Sequence, residues 1–348
     1  MSVVPPSSLT LSTKPAAPPP PSPAFYLTVG QPVTCLLVRN NKLVVGTARG
    51  SIIIYSARDW RKVAEIEAFS KGGLLWVDIV NIGDVEAGDA CNELRTNKET
   101  LVCQGRFDGV KLFRPEDSSW LKWVETANFA IPHSGFCGGF VKRSGNDIVA
   151  VVASEQSKLV VANLVRTFIR PVVSLVREKS GTVMCVREWD KGRVVAGYES
   201  GEVIVWDWSN NSLVTVVTLV GLVGTVMSLA WDMEKRMGVV VGAEDKVVVI
   251  NEELEVVRER VITNKGVGEV QIRGDRKIAV CGGWDGRLRV FSWVKPDKLK
   301  PLAVLKFHAE SVEAVAFSEV EVEGGRLGGR RVLAAGGKDG KVSLWDIY

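Results

Sequence analysis

The segment Val332–Ile347, which reads VLAAGGKDGKVSLWDI, decides the fold of this chain. Two short apolar runs flank the tripeptide Lys338–Gly340, and the second run ends in Trp345 and Asp346. Aspartate followed by glycine between alternating apolar residues is the strongest short-range signal of a β-hairpin, because the tight turn needs a positive φ that glycine adopts without steric cost. The segment therefore predicts a hairpin.

Six further segments repeat this pattern, with a small residue four positions before the last residue of each turn. The pairs are Gly46/Gly50, Gly105/Gly109, Ala153/Ser157, Gly197/Gly201, Gly242/Lys246, Gly282/Gly286 and Gly336/Gly340. A period of about 40–45 residues, with four short strands per unit and a Trp-Asp ending, is typical of WD40 repeats. The chain resembles that repeat family, which implies an all-β, seven-bladed WD40 propeller. Longer intervals between copies indicate loop insertions.

The chain divides into an N-terminal arm and the propeller. Residues 1–24 are rich in proline and serine, which predicts a disordered arm, although a polyproline ligand for an aromatic groove is a second interpretation. Phe25–Val29 has the pattern of a lone strand, and the last repeat ends after its third strand. We therefore expect this strand to complete the seventh blade and close the ring, so that the propeller spans residues 25–348.

Several segments depart from the regular repeat. Surface loops are expected at about residues 81–100 and at residues 319–331. Blade three has the weakest pattern, with strands predicted over Phe136–Val141 and Asp147–Val152 and a turn that lacks both glycine and aspartate. A basic connector, Lys295–Lys306, is expected to lead into blade seven.

Composition excludes some classes of function. The net charge of +4 arises from 44 basic and 40 acidic residues, which gives no reason to expect nucleic acid or an anionic membrane as the main partner. The uncharged run 210–231 has the length of a membrane helix, but its valine and threonine content favours two strands joined at Gly221–Gly224. The first residues carry proline and serine where a secretory signal has an apolar core. The six cysteines show no metal-binding spacing, so we expect reduced thiols and no metal or cofactor.

The chain has two histidines, His133 and His308, and Ser-His-Asp or Cys-His catalysis would have to use one of them. His308 stands where the resemblance to WD40 repeats implies a structural histidine that bonds the turn residue Asp339, with Gly340 in the turn and Trp345 extending the set. The serine or threonine position of that network is expected at Ala334 or Ala335. His133 follows a proline in a predicted loop and is interpreted as a surface residue. The sequence therefore predicts no active site.

A finer resemblance covers three stretches. They are the ending GGKDGKVSLWDIY, the segment Glu125–Phe140 (ETANFAIPHSGFCGGF) and the segment Met184–Trp208. These stretches are similar to the ASTRA-associated WD-repeat family, which includes the guanine-nucleotide-binding-protein β-subunit-like proteins of animals. The resemblance implies a non-enzymatic nuclear scaffold in the ASTRA assembly. That assembly is linked to chromatin remodelling and to the maturation of phosphatidylinositol-kinase-related kinases. We expect protein partners, no membrane association and no homo-oligomer.

The residue before the turn aspartate is expected on one face of the ring, around the channel mouth. Across the seven turns this position predicts the series Ala48, Phe107, Glu155, Glu199, Glu244, Trp284 and Lys338. Three neighbouring carboxylates flanked by aromatic residues suggest a surface for a basic or amphipathic peptide, because aromatic anchors dominate interface energetics. The alternative is that the three glutamates are solvated turn residues and that the tryptophan packs locally.

Two other classes of function are open. A propeller that binds nucleic acid or chromatin would use the basic segments Lys295–Lys306 and Arg326–Arg331, and its binding would depend steeply on salt. An enzyme built on a propeller frame is disfavoured by the scarcity of histidine and by the lack of a nucleophile constellation. Fold alone does not decide among these classes.

Overall fold

The computed structural model describes residues 21–83, 97–144, 147–155, 157–164, 171–324 and 327–347. The predicted arm, apart from residues 21–24, lies outside the described residues. So do residues 84–96 of the predicted loop at 81–100, residues 325–326 of the second loop, and Tyr348.

The described chain forms seven four-stranded antiparallel sheets, arranged as the blades of one propeller. Each blade runs outward from a first strand at the central channel. The first strands are β2 (Val33–Arg39), β6 (Leu74–Gly83), β10 (Phe140–Ser144), β14 (Val183–Glu188), β18 (Val226–Asp232), β22 (Val267–Ile272) and β26 (Val312–Phe317). The second strands are β3 (Lys42–Thr47), β7 (Asn97–Gly105), β11 (Asp147–Ala153), β15 (Arg193–Tyr198), β19 (Met237–Gly242), β23 (Ile278–Gly283) and β27 (Val332–Gly337).

The outer half of each blade follows the same order. The third strands are β4 (Ser51–Ser56), β8 (Val110–Pro115), β12 (Lys158–Asn163), β16 (Glu202–Asp207), β20 (Lys246–Asn251), β24 (Arg287–Ser292) and β28 (Lys341–Asp346). The fourth strands are β5 (Lys62–Glu67), β9 (Trp123–Phe129), β13 (Pro171–Val176), β17 (Ser212–Thr218), β21 (Val256–Val261), β25 (Pro301–Lys306) and, in blade seven, β1 (Phe25–Thr28).

The N-terminal strand closes the ring as predicted. Strand β1 pairs antiparallel with β28, and Phe25 lies opposite Leu344. This pairing covers the edge of the last sheet and joins the two ends of the chain in one blade, so the ring cannot open without breaking the ladder. In addition, Arg273 of blade six donates from Nη1 to the carbonyl of Ile347 at 2.6 Å and holds the C-terminal strand from the side.

The hydrophobic core lies between the blades. Seven clusters of buried side chains are found among the described residues, one for each junction of neighbouring sheets. The second and third strands are buried on both faces, because each sheet packs against a neighbour on either side. Their runs of valine, isoleucine and leucine therefore lack a polar alternation.

Three segments differ from the expectations. In blade three the first strand begins at Phe140, so Phe136 and Cys137 belong to the preceding loop. The basic segment Lys295–Lys306 is a connector only at its start, because Pro301–Lys306 forms the outer strand of blade six. The uncharged run 210–231 forms β17 and most of β18, joined through a short helix, α1 (Val220–Val223). Within the described residues, no helix has the length and hydropathy that crossing a membrane requires.

Candidate interaction surface

One face of the ring is built from the turns between second and third strands and from the connections that precede the first strands. We call it the turn face. In four blades the same turn position is held by a backbone hydrogen bond to the residue just before the first strand. These bonds run from Ala48 to Pro32 (2.9 Å), Glu199 to Thr182 (2.9 Å), Trp284 to Gly266 (3.0 Å) and Lys338 to Ser311 (2.9 Å). In each of these blades the bond joins the turn to the connection that precedes the first strand.

Blade two is shifted by one residue from the predicted turn register. Its ladder places Gln104 opposite Val110, where the ladder of blade one places Gly46 opposite Ile52. The backbone N–H of Arg106 accordingly donates to the carbonyl that precedes the first strand, at 2.9 Å. The prediction of Phe107 at this ring position was wrong, because Arg106 occupies it.

Blade five shows the same shift, since Val241 lies opposite Val247. Ala243 takes the ring position that was predicted for Glu244, and its N–H donates to Thr225 O at 3.3 Å. Superposition of the seven repeats on their glycines missed both shifts. A glycine can mark either a close approach between backbones or a position in the turn, and the sequence does not distinguish the two. The observed ring order is Ala48, Arg106, Glu155, Glu199, Ala243, Trp284 and Lys338.

Phe107 lies at the tip of its turn with a φ of 69° and a side chain that is 59% exposed. A bulky residue in this left-handed region is unusual and strained. The guanidinium of Arg106 lies over two rings, with its Cζ 4.9 Å from the centroid of Phe107 and 4.3 Å from that of Phe136. Phe136 is 63% exposed. The three side chains form an exposed aromatic–cation cluster on the turn face.

The loop that carries Phe136 is anchored on both sides by buried residues. His133 is 1% exposed and Cys137 is fully buried. His133 Nδ1 lies 3.1 Å from the carbonyl oxygen of Ser154, and Gln104 donates to the carbonyl of Ile131 at 3.0 Å. The interpretation of His133 as a surface residue was wrong, because the tertiary fold packs the loop into the junction between blades two and three. The exposed Phe136 is thus held by a fixed frame.

The remaining predicted residues of this face have different surroundings. Trp284 is 43% exposed and rests on a glycine, since a Cβ at Gly266 would lie 2.0 Å from its ring. Glu199 accepts a hydrogen bond from the N–H of Thr182 at 3.2 Å, and Glu244 pairs with Lys265 at 2.5 Å. Glu155 is exposed. Two of the three predicted carboxylates are therefore engaged within the chain.

The central channel opens on this face and encloses about 690 Å³. Its lining includes Ala48, Arg106, Phe136, Trp284 and Lys338 at the turn face. Deeper in the channel, Arg187 of blade four lies 3.0 Å from Glu269 of blade six. Burial raises the pKa of Glu269, although the nearby guanidinium opposes the shift. This pair ties together inner strands that are not neighbours in the ring.

Blade seven contains a network of buried polar side chains. His308 Nδ1 lies 3.1 Å from Asp339 Oδ1, and its Nε2 lies 2.9 Å from Ser343 Oγ. Trp345 donates its indole N–H to the same hydroxyl at 2.8 Å. The serine or threonine position of the network was expected to be occupied by Ala334 or Ala335, which carry no hydroxyl. This was wrong, because Ser343 on the third strand supplies the hydroxyl to His308. The hydrogen-bonded series Asp339, His308 and Ser343 resembles the catalytic triad of a hydrolase. Ser343, however, is fully buried, and its oxygen already accepts the hydrogen bond from Trp345.

This last blade is also where the sequence matches a known family. The model of the family described as "WD domain, G-beta repeat" matches residues 299–346, which include the outer strand of blade six and all but the N-terminal strand of blade seven. The match coincides with the hairpin and the His308 network, within a ring of seven four-stranded sheets. The chain is a seven-bladed β-propeller with a WD40 repeat at residues 299–346.

The propeller is similar to curated proteins of two names. The guanine nucleotide-binding protein subunit beta-like protein 1 of Mus musculus is 28% identical over 95% of this chain and 98% of that protein. ASTRA-associated protein 1 of Schizosaccharomyces japonicus is 30% identical over 49% of each chain. ASTRA-associated protein 1 of Schizosaccharomyces pombe is 40% identical over 24% of this chain and 19% of that protein. The propeller resembles both groups.

Among solved structures, the propeller resembles the crystal structure of Saccharomyces cerevisiae Sqt1. The TM-score is 0.70, and the match covers 94% of this chain and 99% of that chain at 10% sequence identity. At this identity the likeness concerns the fold alone.

Thiols and metal ligands offer little chemistry in the described part of the propeller. Cys35, Cys103, Cys137, Cys185 and Cys281 are free and buried. Burial raises the pKa of Cys35 to about 12, which keeps the thiol protonated and unreactive at neutral pH. Within the described residues, no three His, Cys, Asp or Glu side chains are grouped so that they could hold a metal ion.

The basic segments considered for nucleic acid are partly neutralised within the propeller. Lys298 lies 3.4 Å from Asp297, and Arg330 pairs with Asp346. Leu299 is buried, and Pro301–Lys306 is a regular outer strand. Arg326 lies outside the described residues. Two of the cations that such a site would use are therefore paired with carboxylates of the same chain.

Proposed function

We propose that this protein is a non-enzymatic scaffold that holds protein partners in a nuclear multisubunit complex of the ASTRA type. In this proposal it serves the functions linked to that assembly, which are chromatin remodelling and the maturation of phosphatidylinositol-kinase-related kinases. The similarity to proteins named ASTRA-associated protein 1 supports the choice of complex. The WD40 architecture supports the role of scaffold, because such propellers generally act as interaction platforms.

The observation that carries the proposal is the set of exposed aromatic side chains on the turn face. Phe107, Phe136 and Trp284 are between 43% and 63% exposed, on elements that are fixed by backbone hydrogen bonds. Large aromatic side chains supply much of the binding energy of protein interfaces, and rigid anchors lose little conformational entropy on binding. The turn face is therefore the surface on which we expect a partner to dock.

The proposal is tested by affinity purification of the tagged protein from its native cell extract, with mass spectrometry of the recovered proteins. We expect ASTRA-type scaffold proteins and large kinases. The double variant Phe107→Ala/Trp284→Ala should lower their recovery at least about tenfold, as expected for the loss of two aromatic anchors.

The matched control is Leu121→Ala/Val214→Ala, which removes two exposed apolar side chains outside the turn face. It should leave recovery unchanged, and circular dichroism should show both proteins folded. Equal recovery with both double variants would refute the role of the turn face. Recovery of histones or RNA-bound proteins that are lost at high salt would favour the nucleic-acid alternative.

A further inference from the structure

Five side chains on one side of the channel mouth follow each other in a regular order. Around the ring from blade three to blade six they are Phe136, Arg106, Ala48, Lys338 and Trp284, and all five line the channel. The order is aromatic, cation, small residue, cation, aromatic. Because alanine is the smallest of the five, blade one forms a notch between two cations. The register shift in blade two creates this order, since it brings Arg106 into the ring.

The two cations lack partners of opposite charge. Among the described residues, neither Arg106 nor Lys338 forms an ion pair, and Lys338 Nζ makes no hydrogen bond. Arg106 donates only from Nε, to the carbonyl of Ser134 at 2.8 Å. Its Nη1 and Nη2 therefore remain available to bind a carboxylate end-on, the paired geometry that guanidinium groups favour.

Carboxylates near the channel form no ion pair with Arg106 or Lys338 among the described residues. Glu313 also lines the channel and accepts a hydrogen bond from Ser311. Glu269 is paired with Arg187 deeper in the channel. The exposed carboxylates at ring positions, Glu155 and Glu199, belong to blades three and four. Cations without an ion-pair partner among the described residues thus lie on blades seven and two, and the exposed Glu313 lies on blade seven as well.

The geometry is preorganised for a ligand. The Arg106 side chain is held by a hydrogen bond and by contact with two rings, and the Phe136 loop is anchored by His133 and Cys137. Trp284 is supported by Gly266. A site whose side chains are already ordered loses less entropy on binding.

We infer that this side of the channel mouth binds an acidic segment of a partner protein. One aspartate or glutamate of the segment lies over Ala48 between Arg106 and Lys338, and flanking apolar or aromatic residues pack on Phe136 and Trp284. The inference rests on the proposed function and specifies the chemistry of its partner. It differs from the basic peptide expected from the sequence, because Arg106 and Lys338 have no ion-pair partner among the described residues, whereas Glu244 pairs with Lys265.

The occupant is identified by site-specific photocrosslinking. A p-benzoylphenylalanine in place of the exposed Arg49, beside the notch, is irradiated in cell extract, and the crosslinked peptide is sequenced. The same probe in place of Leu213, on the outer strand of blade four, is the control. A crosslinked peptide rich in aspartate or glutamate beside apolar residues supports the inference. A lysine- or arginine-rich peptide, nucleic acid, or no product above the control would overturn it.

Charge reversal tests the same site through affinity. Arg106→Glu/Lys338→Glu should weaken binding of the purified partner at least about tenfold, because like charges then face each other. Lys338→Glu alone should weaken binding several-fold, and this variant breaks no side-chain hydrogen bond or ion pair among the described residues. The control Lys295→Glu/Lys300→Glu makes the same change in net charge at exposed positions away from the mouth and should bind normally.

The outcomes separate this inference from the proposed function. If Phe107→Ala/Trp284→Ala abolishes partner recovery while the charge reversals bind normally, the turn face is the interface and the acidic segment is refuted. If all of these variants bind normally, both are refuted. Weaker binding by Lys338→Glu with normal binding by the control supports the acidic segment.

Discussion

The backbone N–H of Phe107 donates to the carbonyl oxygen of His133 at 3.0 Å. This bond joins the turn of blade two to the loop between blades two and three. It holds Phe107 at a positive φ and sets the loop so that Phe136 faces Arg106. Backbone strain at this exposed aromatic residue indicates that the turn serves to position the Phe107 ring and not to stabilise the fold.

Substitution of Phe107 by glycine should separate binding from stability. Glycine adopts a φ of 69° without strain, so Phe107→Gly should leave the free energy of unfolding unchanged or raise it by about 1 kcal/mol. The same substitution should lower partner recovery, because the exposed ring is lost. Urea denaturation and affinity purification measure the two effects.

The control in the same turn is Gly109→Ala. A Cβ there would lie 2.1 Å from the carbonyl oxygen of Phe129, so this variant should be destabilised. If the free energy of unfolding of Phe107→Gly fell by more than about 1 kcal/mol, the ring would be shown to stabilise the fold. That result would contradict the interpretation that Phe107 serves binding and not stability.

Substitution of Gly266 should displace Trp284. Gly266 has a φ of 86°, and an added Cβ would lie 2.0 Å from the indole ring. Gly266→Ala should cost about 1–3 kcal/mol of stability. It should also lower partner recovery as Trp284→Ala does. The control Gly221→Ala meets no atom within 4 Å and should leave both properties unchanged. Normal partner recovery by folded Gly266→Ala would remove Trp284 from the interface.

Removal of the Ser343 hydroxyl should destabilise blade seven. Ser343→Ala leaves His308 Nε2 and the indole N–H of Trp345 without their buried partner, which should cost about 1–3 kcal/mol. In Ser311→Ala the lost hydroxyl bonds only the exposed Glu313, and the effect should stay within about 0.5 kcal/mol. Equal midpoints of urea denaturation for the two variants would count against a structural role of the network.

His133 should make stability depend on pH. Burial lowers its pKa from the usual 6.5, and nearby Arg106 lowers it further, although the bond to Ser154 opposes the shift. The folded protein therefore binds this proton less readily than the unfolded chain, and stability falls as the pH drops below about 6.5. His133→Gln lacks this titration. Between about pH 7.5 and about pH 5.5 the wild type should lose more thermal stability than the variant. Parallel curves would contradict the prediction.

The strands and the blade count were predictable, whereas details of turn register were not. Strand β1 was expected from five residues, because an unpaired strand pattern and a three-stranded last repeat complement each other. Arg106 and Phe107 could not be distinguished in advance. A shift by one residue changes no apolar periodicity, and only the ladder partners of Gln104 and Val110 reveal it. Ser343 was missed for a related reason, since strand alternation does not tell which residue faces His308.

The amino-acid sequence by itself determined the all-β class, the seven repeats and the closing strand, because hairpin turns and strand periods are local and recur. It also marked Trp284 and Lys338 as residues of one face. Only the tertiary structure decided that Phe136, Arg106, Ala48, Lys338 and Trp284 meet at one side of the channel, and that Glu199 and Glu244 bond within the chain. These contacts join residues far apart along the chain, so they depend on ring closure and on the exact length of each turn.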